Sequence, residues 1–238
     1  MIEINGLTKC YKNRIAVNEL SLKIDDGEIF GLLGLNGAGK TTTIKMLSGV
    51  AEPTKGSATV YGHALSDVEG LKSVIGISPQ ESAVSPVLTV KENLVFVATL
   101  YGFDNKDAKT RAENLMRKFD LIDRAKDKAK SLSGGLCRRL SIAMALISEP
   151  KVLFLDEPTL GLDILSRREL WSIIKSLKKE MTVVLTTHYP EETEALCDKI
   201  AIMRDGKLVA VGTSDELIKL SGKENFEEAF IKLSGESA

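Results

Sequence analysis

The chain reads as an α/β protein with a mainly parallel sheet, antiparallel strands at its N-terminus and an inserted helical segment. Three observations predict this class. Ile29-Phe30-Gly31-Leu32-Leu33, Lys151 to Asp156 and Met181 to Thr187 are short apolar or β-branched runs, as expected of strands covered on both faces. The first of these runs into a glycine-rich turn and then a helical pattern, which is the strand–loop–helix order of a parallel unit. Between about 86 and 149 the pattern turns helical and charged, so the core is predicted as two pieces, about 1–85 and 150–212, around an insertion.

Taken in order, Ile2 to Ile24 alternates apolar and polar residues, with Leu20, Leu22 and Ile24 on one face, predicting antiparallel strands. The strand Ile29 to Leu33 is followed by a helix over Thr42 to Ser48 that Gly49 stops. Ala58 to Tyr61 and Val74 to Ile77 add strands. The charged stretch 104–130 is read as solvated helices and loops. Leu136, Leu140, Ala143, Met144 and Ile147 recur at helical spacing, as do Leu170, Ile173, Ile174 and Leu177. Ile200 to Met203 and Leu208 to Val211 flank Asp205-Gly206, a hairpin signal. Residues 213–238 are read as a short tail of one continuous domain, 1–238.

Gly34-Leu35-Asn36-Gly37-Ala38-Gly39-Lys40-Thr41 fits the phosphate-loop pattern of Gly, four residues, then Gly-Lys-Thr. Glycines let the backbone turn its amide N–H groups onto phosphate oxygens, and the helix N-terminus adds unpaired donors and a positive dipole end. Lys40 can reach the outer phosphates, and the Thr41 hydroxyl can ligate magnesium. Asp156 and Glu157 tip an apolar strand, where ligands of parallel sheets sit. Asp156 is the expected magnesium partner. Glu157 is placed to orient or deprotonate an attacking water. His188 ends another such strand and is expected to touch the γ-phosphate, whereas His63 is given no role.

Ser133-Gly134-Gly135 stands at a helix start, 23 positions before Asp156. With the phosphate loop, this pairing makes the chain resemble the ATP-binding-cassette (ABC) ATPases over its whole length. The resemblance implies a P-loop NTPase (RecA-like) core, with ATP and Mg2+ as ligands. It implies that Leu132-Ser133-Gly134-Gly135 closes over the γ-phosphate of an ATP held by a second ATPase subunit. Tyr11 is similar to the aromatic that stacks on adenine, with a half-buried strand tyrosine as the competing reading. Gln80 resembles the glutamine that links magnesium and water to the helical subdomain. Asp163, in Gly161-Leu162-Asp163, resembles the acid that touches the partner's phosphate loop, or else is a plain helix N-cap. Thr42 completes the residues expected at the nucleotide. Two departures stand out: Leu136 and Cys137 follow the signature where glutamine is usual, and Ile164 stands where proline is common.

Leu88 to Leu94, Arg138-Arg139-Leu140, Thr187 to Glu192 and the ending Phe226 to Phe230 look most like the stand-alone ATPase subunits of ABC-2-type exporters. The implied partners are integral membrane permease subunits. The uncharged loop Ser82 to Leu88 is either a docking surface for one of them or packing for the insertion's own core.

The 238 residues carry a formal net charge of −1, so nothing drives the chain electrostatically onto nucleic acid or anionic lipid. No apolar run reaches the ~18 residues of a membrane span, and Met1-Ile2-Glu3-Ile4 lacks the regions of a signal peptide. Cys10, Cys137 and Cys197 form neither a disulfide frame nor a metal spacing. The expected location is cytoplasmic, peripheral on the inner face of the cell membrane. A soluble ABC ATPase acting on DNA or ribosomes is the alternative, and it lacks the coiled coils or second cassette that such proteins carry. A regulator that only binds ATP would not need Glu157 and His188. Asn105-Lys106-Asp107-Ala108 does not match a guanine-reading segment.

Overall fold

The structure, a computed structural model, describes residues 1–178 and 180–235. Its strands form two sheets. Strands β1 (Ile2–Tyr11), β2 (Arg14–Ile24), β4 (Lys55–Val60) and β5 (His63–Ala64) make an antiparallel sheet in the order β2-β1-β4-β5. The second sheet adds β3 (Ile29–Leu33), β6 (Ile75–Ser78), β7 (Val152–Asp156), β8 (Thr182–Thr187), β9 (Lys199–Arg204) and β10 (Lys207–Gly212), in the order β10-β9-β3-β8-β7-β6. All of its pairs are parallel except the β9–β10 hairpin.

The runs that read as covered on both faces are covered on both faces. Alternate residues of β7 divide between two cores: Leu153 and Leu155 join one, Val152 and Phe154 the other. The first core packs the sheet against α5 (Gly134–Ala145) and α6 (Ile164–Leu177), and continues into the helical insertion. The second packs it against α1 (Lys40–Leu47) and the antiparallel sheet, through Ile4, Leu7, Leu20 and Ile24. A layered α/β arrangement results, with the strand tips of the parallel sheet left open at one end.

The insertion holds α3 (Val90–Leu100), started by a Thr89–Glu92 capping box, and α4 (Asn105–Lys118), capped by Asp104. Here the reading of 104–130 as solvated needs correcting. Ala108, Ala112 and Met116 form a buried stripe on α4, and Phe119, Leu121 and Ala129 are buried beyond it. Small apolar residues among many charges hide this face, because only one side of the helix meets the core. Val84 is half-buried against the same core, while Val87 stays 68% exposed. Val84 thus packs into the insertion's core, as one of the two readings of the loop Ser82 to Leu88 expects, while Val87 stands clear of it.

Four α-helices of the described residues lie outside the sequence reading. Helix α2 (Val68–Val74) precedes β6, and its single fully buried side chain, Leu71, is too little for a periodic signal. Residues read as a short tail fold as α8 (Ser214–Ser221) and α9 (Phe226–Ser234). Leu217, Phe226 and Phe230 bury a third core against Leu33, Ile200 and Ile202, covering the β9–β10 end of the sheet. Glu236 to Ala238 of that tail lie outside the described residues. Helix α7 (Pro190–Leu196) leads from β8 to β9.

Candidate active site

The site forms where β3, β7 and β8 end together. Leu33 closes β3, the chain turns through Gly34 to Gly39, and α1 opens at Lys40. Gly39 is the N-cap of α1 at φ 101°, and a Cβ there would stand 2.6 Å from the Ala16 carbonyl oxygen. A Cβ on Gly34 would collide with the Met203 carbonyl oxygen. The loop is thus clasped between the β1–β2 hairpin and the β9–β10 hairpin, whose Gly206 N–H donates to the Ala38 carbonyl at 3.1 Å.

The Lys40 side chain is buried within this clasp. Its Nζ donates to the carbonyls of Gly34 (2.6 Å) and Leu35 (3.2 Å), and lies 3.4 Å from a Glu157 carboxylate oxygen. Burial lowers the lysine's pKa from its ordinary value, and the Glu157 and Asp156 carboxylates oppose that shift. Thr41 Oγ1 donates to Asp156 Oδ1 at 3.0 Å, and Thr186 Oγ1 donates to the same oxygen at 2.5 Å.

Glu157 follows Asp156 in a left-handed backbone conformation, φ 48°, which a residue with a side chain seldom adopts. Its N–H donates to both the carbonyl (3.2 Å) and the hydroxyl (3.0 Å) of Thr186. Its carboxylate stands between Lys40, at the start of α1, and His188, with Oε2 2.9 Å from His188 Nδ1. Behind it lies Glu192, buried on α7, which accepts from Trp171 Nε1 at 3.2 Å on one oxygen. Its other oxygen and the nearby Thr159 hydroxyl make no hydrogen bond of ordinary geometry among the described residues, though Thr159 and Thr187 lie close enough to temper the effect of burial. Burial raises the Glu192 pKa.

Lys40, Thr41, Glu157 and His188 open onto a cavity of about 650 Å³. Tyr11, Asn36 to Thr42, Gln80, Glu157 and His188 line it. Gly34 and Leu35 form the root of the loop, behind Lys40. Thr41 and Asp156 bring a hydroxyl and a carboxylate together as hard oxygen donors, which fits Mg2+, an ion held by one or two protein oxygens and completed by phosphates. Among the described residues no cluster of three His, Cys, Asp or Glu could hold a metal alone.

Gly34, Leu35 and Asp156 stand behind the lining of this cavity, and Ser133, Gly134, Gly135 and Asp163 do not line it either. Ser133 is the N-cap of α5, accepting from Leu136 N–H at 3.3 Å. Asp163 is the N-cap of α6, accepting from the N–H groups of Leu165 and Ser166, and its pKa is lowered chiefly by the Ser166 bond. A Cβ on Gly135 would meet Ser166 at 3.0 Å, and one on Gly134 would meet Leu162 at 3.8 Å. Ser133-Gly134-Gly135 and Asp163 therefore share one surface of the chain, beside the exposed Ile164 and Leu165.

Sequence reasoning missed Arg14, Ala16 and Leu160, which also line the cavity, and the part played by Thr186. Arg14 and Ala16 fall in an ordinary alternating strand, which carries no signal. It also missed Arg138, whose guanidinium is buried beneath the tips of β6 and β7. An arginine on an apolar helix face was the available hint.

Comparison with known proteins shows the family to which this fold belongs. The family model described as ABC transporter matches residues 17–160. The linearmycin resistance ATP-binding protein LnrL of Bacillus subtilis is 42% identical over 224 residues, covering 93% of this chain and 72% of LnrL. The doxorubicin resistance ATP-binding protein DrrA of Mycobacterium tuberculosis is 40% identical over 225 residues, 93% of this chain and 68% of DrrA. The human phospholipid-transporting ATPase ABCA3 is 41% identical over 218 residues, 90% of this chain but 13% of ABCA3. Among solved structures, an ATP-binding subunit of an ABC transporter superposes with a TM-score of 0.86 at 30% identity, over 98% of this chain and 99% of that one. A dimeric ATP-binding cassette in a post-hydrolysis state with ADP and Pi gives 0.81 at 25% identity, over 90% and 98%. The chain belongs to the ABC transporter family, as an ATP-binding and ATP-hydrolysing cassette.

Proposed function

We propose that this cassette powers an exporter by closing with a second ATPase subunit around two ATP molecules, against membrane permease subunits on the cytoplasmic face. One observation carries the reading. Lys40, Thr41, Glu157 and His188 gather at one cavity, while Ser133-Gly134-Gly135 and Asp163 lie together on a surface outside it. Half a site faces each way, which suits a partner of the same kind. Relatives named for resistance to linearmycin and doxorubicin favour outward transport. Among the described residues no helix is long and apolar enough to cross a membrane, so the transport path would lie in other subunits. We take about 1–85 and 150–212 as the motor core and about 86–149 as the part that meets the permease. Val87, Phe96 and Leu100, all exposed, are its apolar contacts.

Each residue then has a task. Asn36 to Thr42 offer backbone N–H groups and the α1 N-terminus to the phosphates, and Lys40 adds its charge. Tyr11 stacks on the base. Thr41, Asp156 and Gln80 would hold Mg2+, which when bound neutralises charge on the phosphate oxygens. Glu157 accepts the proton of the attacking water, and His188, hydrogen-bonded to it, fixes its rotamer and faces the γ-phosphate. Substitution of Glu157 by Gln tests this. ATP binding should persist while turnover falls by roughly 10²-fold or more, because an amide cannot take up the water's proton. Turnover within a few-fold of wild type would overturn the assignment.

A further inference from the structure

Arg138 lies on α5, five residues after Ser133, and is only 8% exposed. Its guanidinium meets no carboxylate at ion-pair distance among the described residues. It donates instead to backbone carbonyls: Nε to Pro158 (2.9 Å), Nη1 to Pro79 (2.6 Å) and Gln80 (3.5 Å), Nη2 to Asp156 (2.6 Å) and Glu157 (2.8 Å). Its neighbour Arg139 behaves differently, pairing with Asp120 and Glu169.

Taking a guanidinium out of water to face only carbonyl dipoles is costly. The planar fork is what such a site uses, since its five donors hold several acceptors in fixed relation. Those acceptors belong to two segments distant in sequence: Pro79 and Gln80 just after β6, and Asp156 to Pro158 at the end of β7 and just beyond it. Glu157 needs restraint, because its φ of 48° is sparsely populated without it. Thr186 holds its N–H and Arg138 holds its carbonyl. Helix α5 is itself tied to β6 by the buried Ser141 and Ser78 hydroxyls, 2.9 Å apart. A shift of the helix that begins Ser133-Gly134-Gly135 must therefore drag both loops.

We propose that Arg138 is a positioning residue that couples the orientation of α5 to the backbone carrying Gln80 and Glu157, so that the Ser133 surface and the water-activating carboxylate are set together. The inference rests on the proposed role of Glu157.

The test uses the full chain and measures steady-state kinetics, ATP affinity and melting temperature for Arg138→Lys, Ser141→Ala and Glu157→Gln. Lysine keeps the charge but cannot span both loops. Arg138→Lys should lower kcat roughly 10- to 100-fold, as displacement of a catalytic group does, with ATP affinity within about twofold. Ser141→Ala removes a buried hydroxyl pair from the same helix but leaves the Arg138 bonds that fix α5 to both loops in place, and should lower the melting temperature while kcat stays within about twofold. Methylguanidine added to Arg138→Ala should restore part of the lost kcat. If the alanine variant does not fold, Arg138→Lys decides the matter alone. Wild-type kcat in Arg138→Lys, or an equal kcat loss in Ser141→Ala, overturns the inference. Wild-type turnover in Glu157→Gln overturns the reading of Glu157 and this inference with it. Lost turnover there, beside an unaffected Arg138→Lys, overturns the inference alone.

Discussion

Thr186→Val removes one hydroxyl from a fully buried position and leaves the shape of the side chain nearly unchanged. Two bonds go: the 2.5 Å donation to Asp156 Oδ1 and the acceptance from Glu157 N–H at 3.0 Å. The second matters less, because that N–H keeps the Thr186 carbonyl at 3.2 Å. The first is a bond to a carboxylate, of a kind that contributes about 1.5–3 kcal/mol. Asp156 Oδ1 keeps Thr41 at 3.0 Å, and a buried methyl returns about 0.8 kcal/mol. The net loss is then about 1–2 kcal/mol, a fall in Tm of roughly 2–8 °C for a domain of this size. The same hydroxyl touches both strand-tip acids, so much of this should appear in the transition state as well. An equal energy there would lower kcat/KM roughly 5- to 30-fold. Urea unfolding and steady-state ATPase on one preparation supply both numbers. Stability within about 0.5 kcal/mol of wild type together with unchanged kcat/KM would show that Thr186 does not hold the acids in place.

Other expectations follow from the same geometry. Tyr11→Ala should weaken ATP binding by about 1–3 kcal/mol with Tm unchanged, since the ring is half-exposed and lines the cavity; unchanged affinity would return Tyr11 to a structural role. Burial holds the Glu192 carboxyl above its ordinary 4.5, so its contribution to stability is full below that pH and is lost as pH rises through the folded value. Glu192→Gln should therefore flatten the decline of unfolding free energy as pH rises above that ordinary value, and a slope matching wild type would refute the buried proton. Mixing Lys40→Ala with Ser133→Arg chains should restore part of the activity that either lacks, because some mixed dimers hold one intact composite site. Dimers that form yet stay silent would count against the shared site.

The parts of the site legible in sequence are those that local pattern dictates. An apolar run, a glycine turn and a Lys-Thr pair need no distant partner to be recognised, and β3, α1 and the strand-tip acids lie where they were expected. Thr186 looked like one more β-branched strand residue, because the direction of a hydroxyl depends on a neighbouring strand. Arg138 looked like half of a basic pair, because nothing local says which of two arginines turns inward. The stripe of Ala108, Ala112 and Met116 was overlooked because small apolar residues weigh little beside the charges around them. The apolar faces of α8 and α9 carry no signal in the sequence until the β9–β10 hairpin gives them something to cover.

The pairing of β3 has a consequence for synthesis. Its neighbours, β8 and β9, begin about 150 residues after it, so the strand that carries the phosphate loop leaves the ribosome long before either exists. At about 5–20 residues per second the wait is roughly 8–30 s. The antiparallel strands β1, β2 and β4 need only the first sixty residues and can pair during that interval, shielding one face of β3. Its other face and both edges stay bare until translation nears the hairpin. A nascent chain stalled before Thr182 should therefore bind chaperones through Ile29 to Leu33, and the ability to hold ATP should arrive late and abruptly.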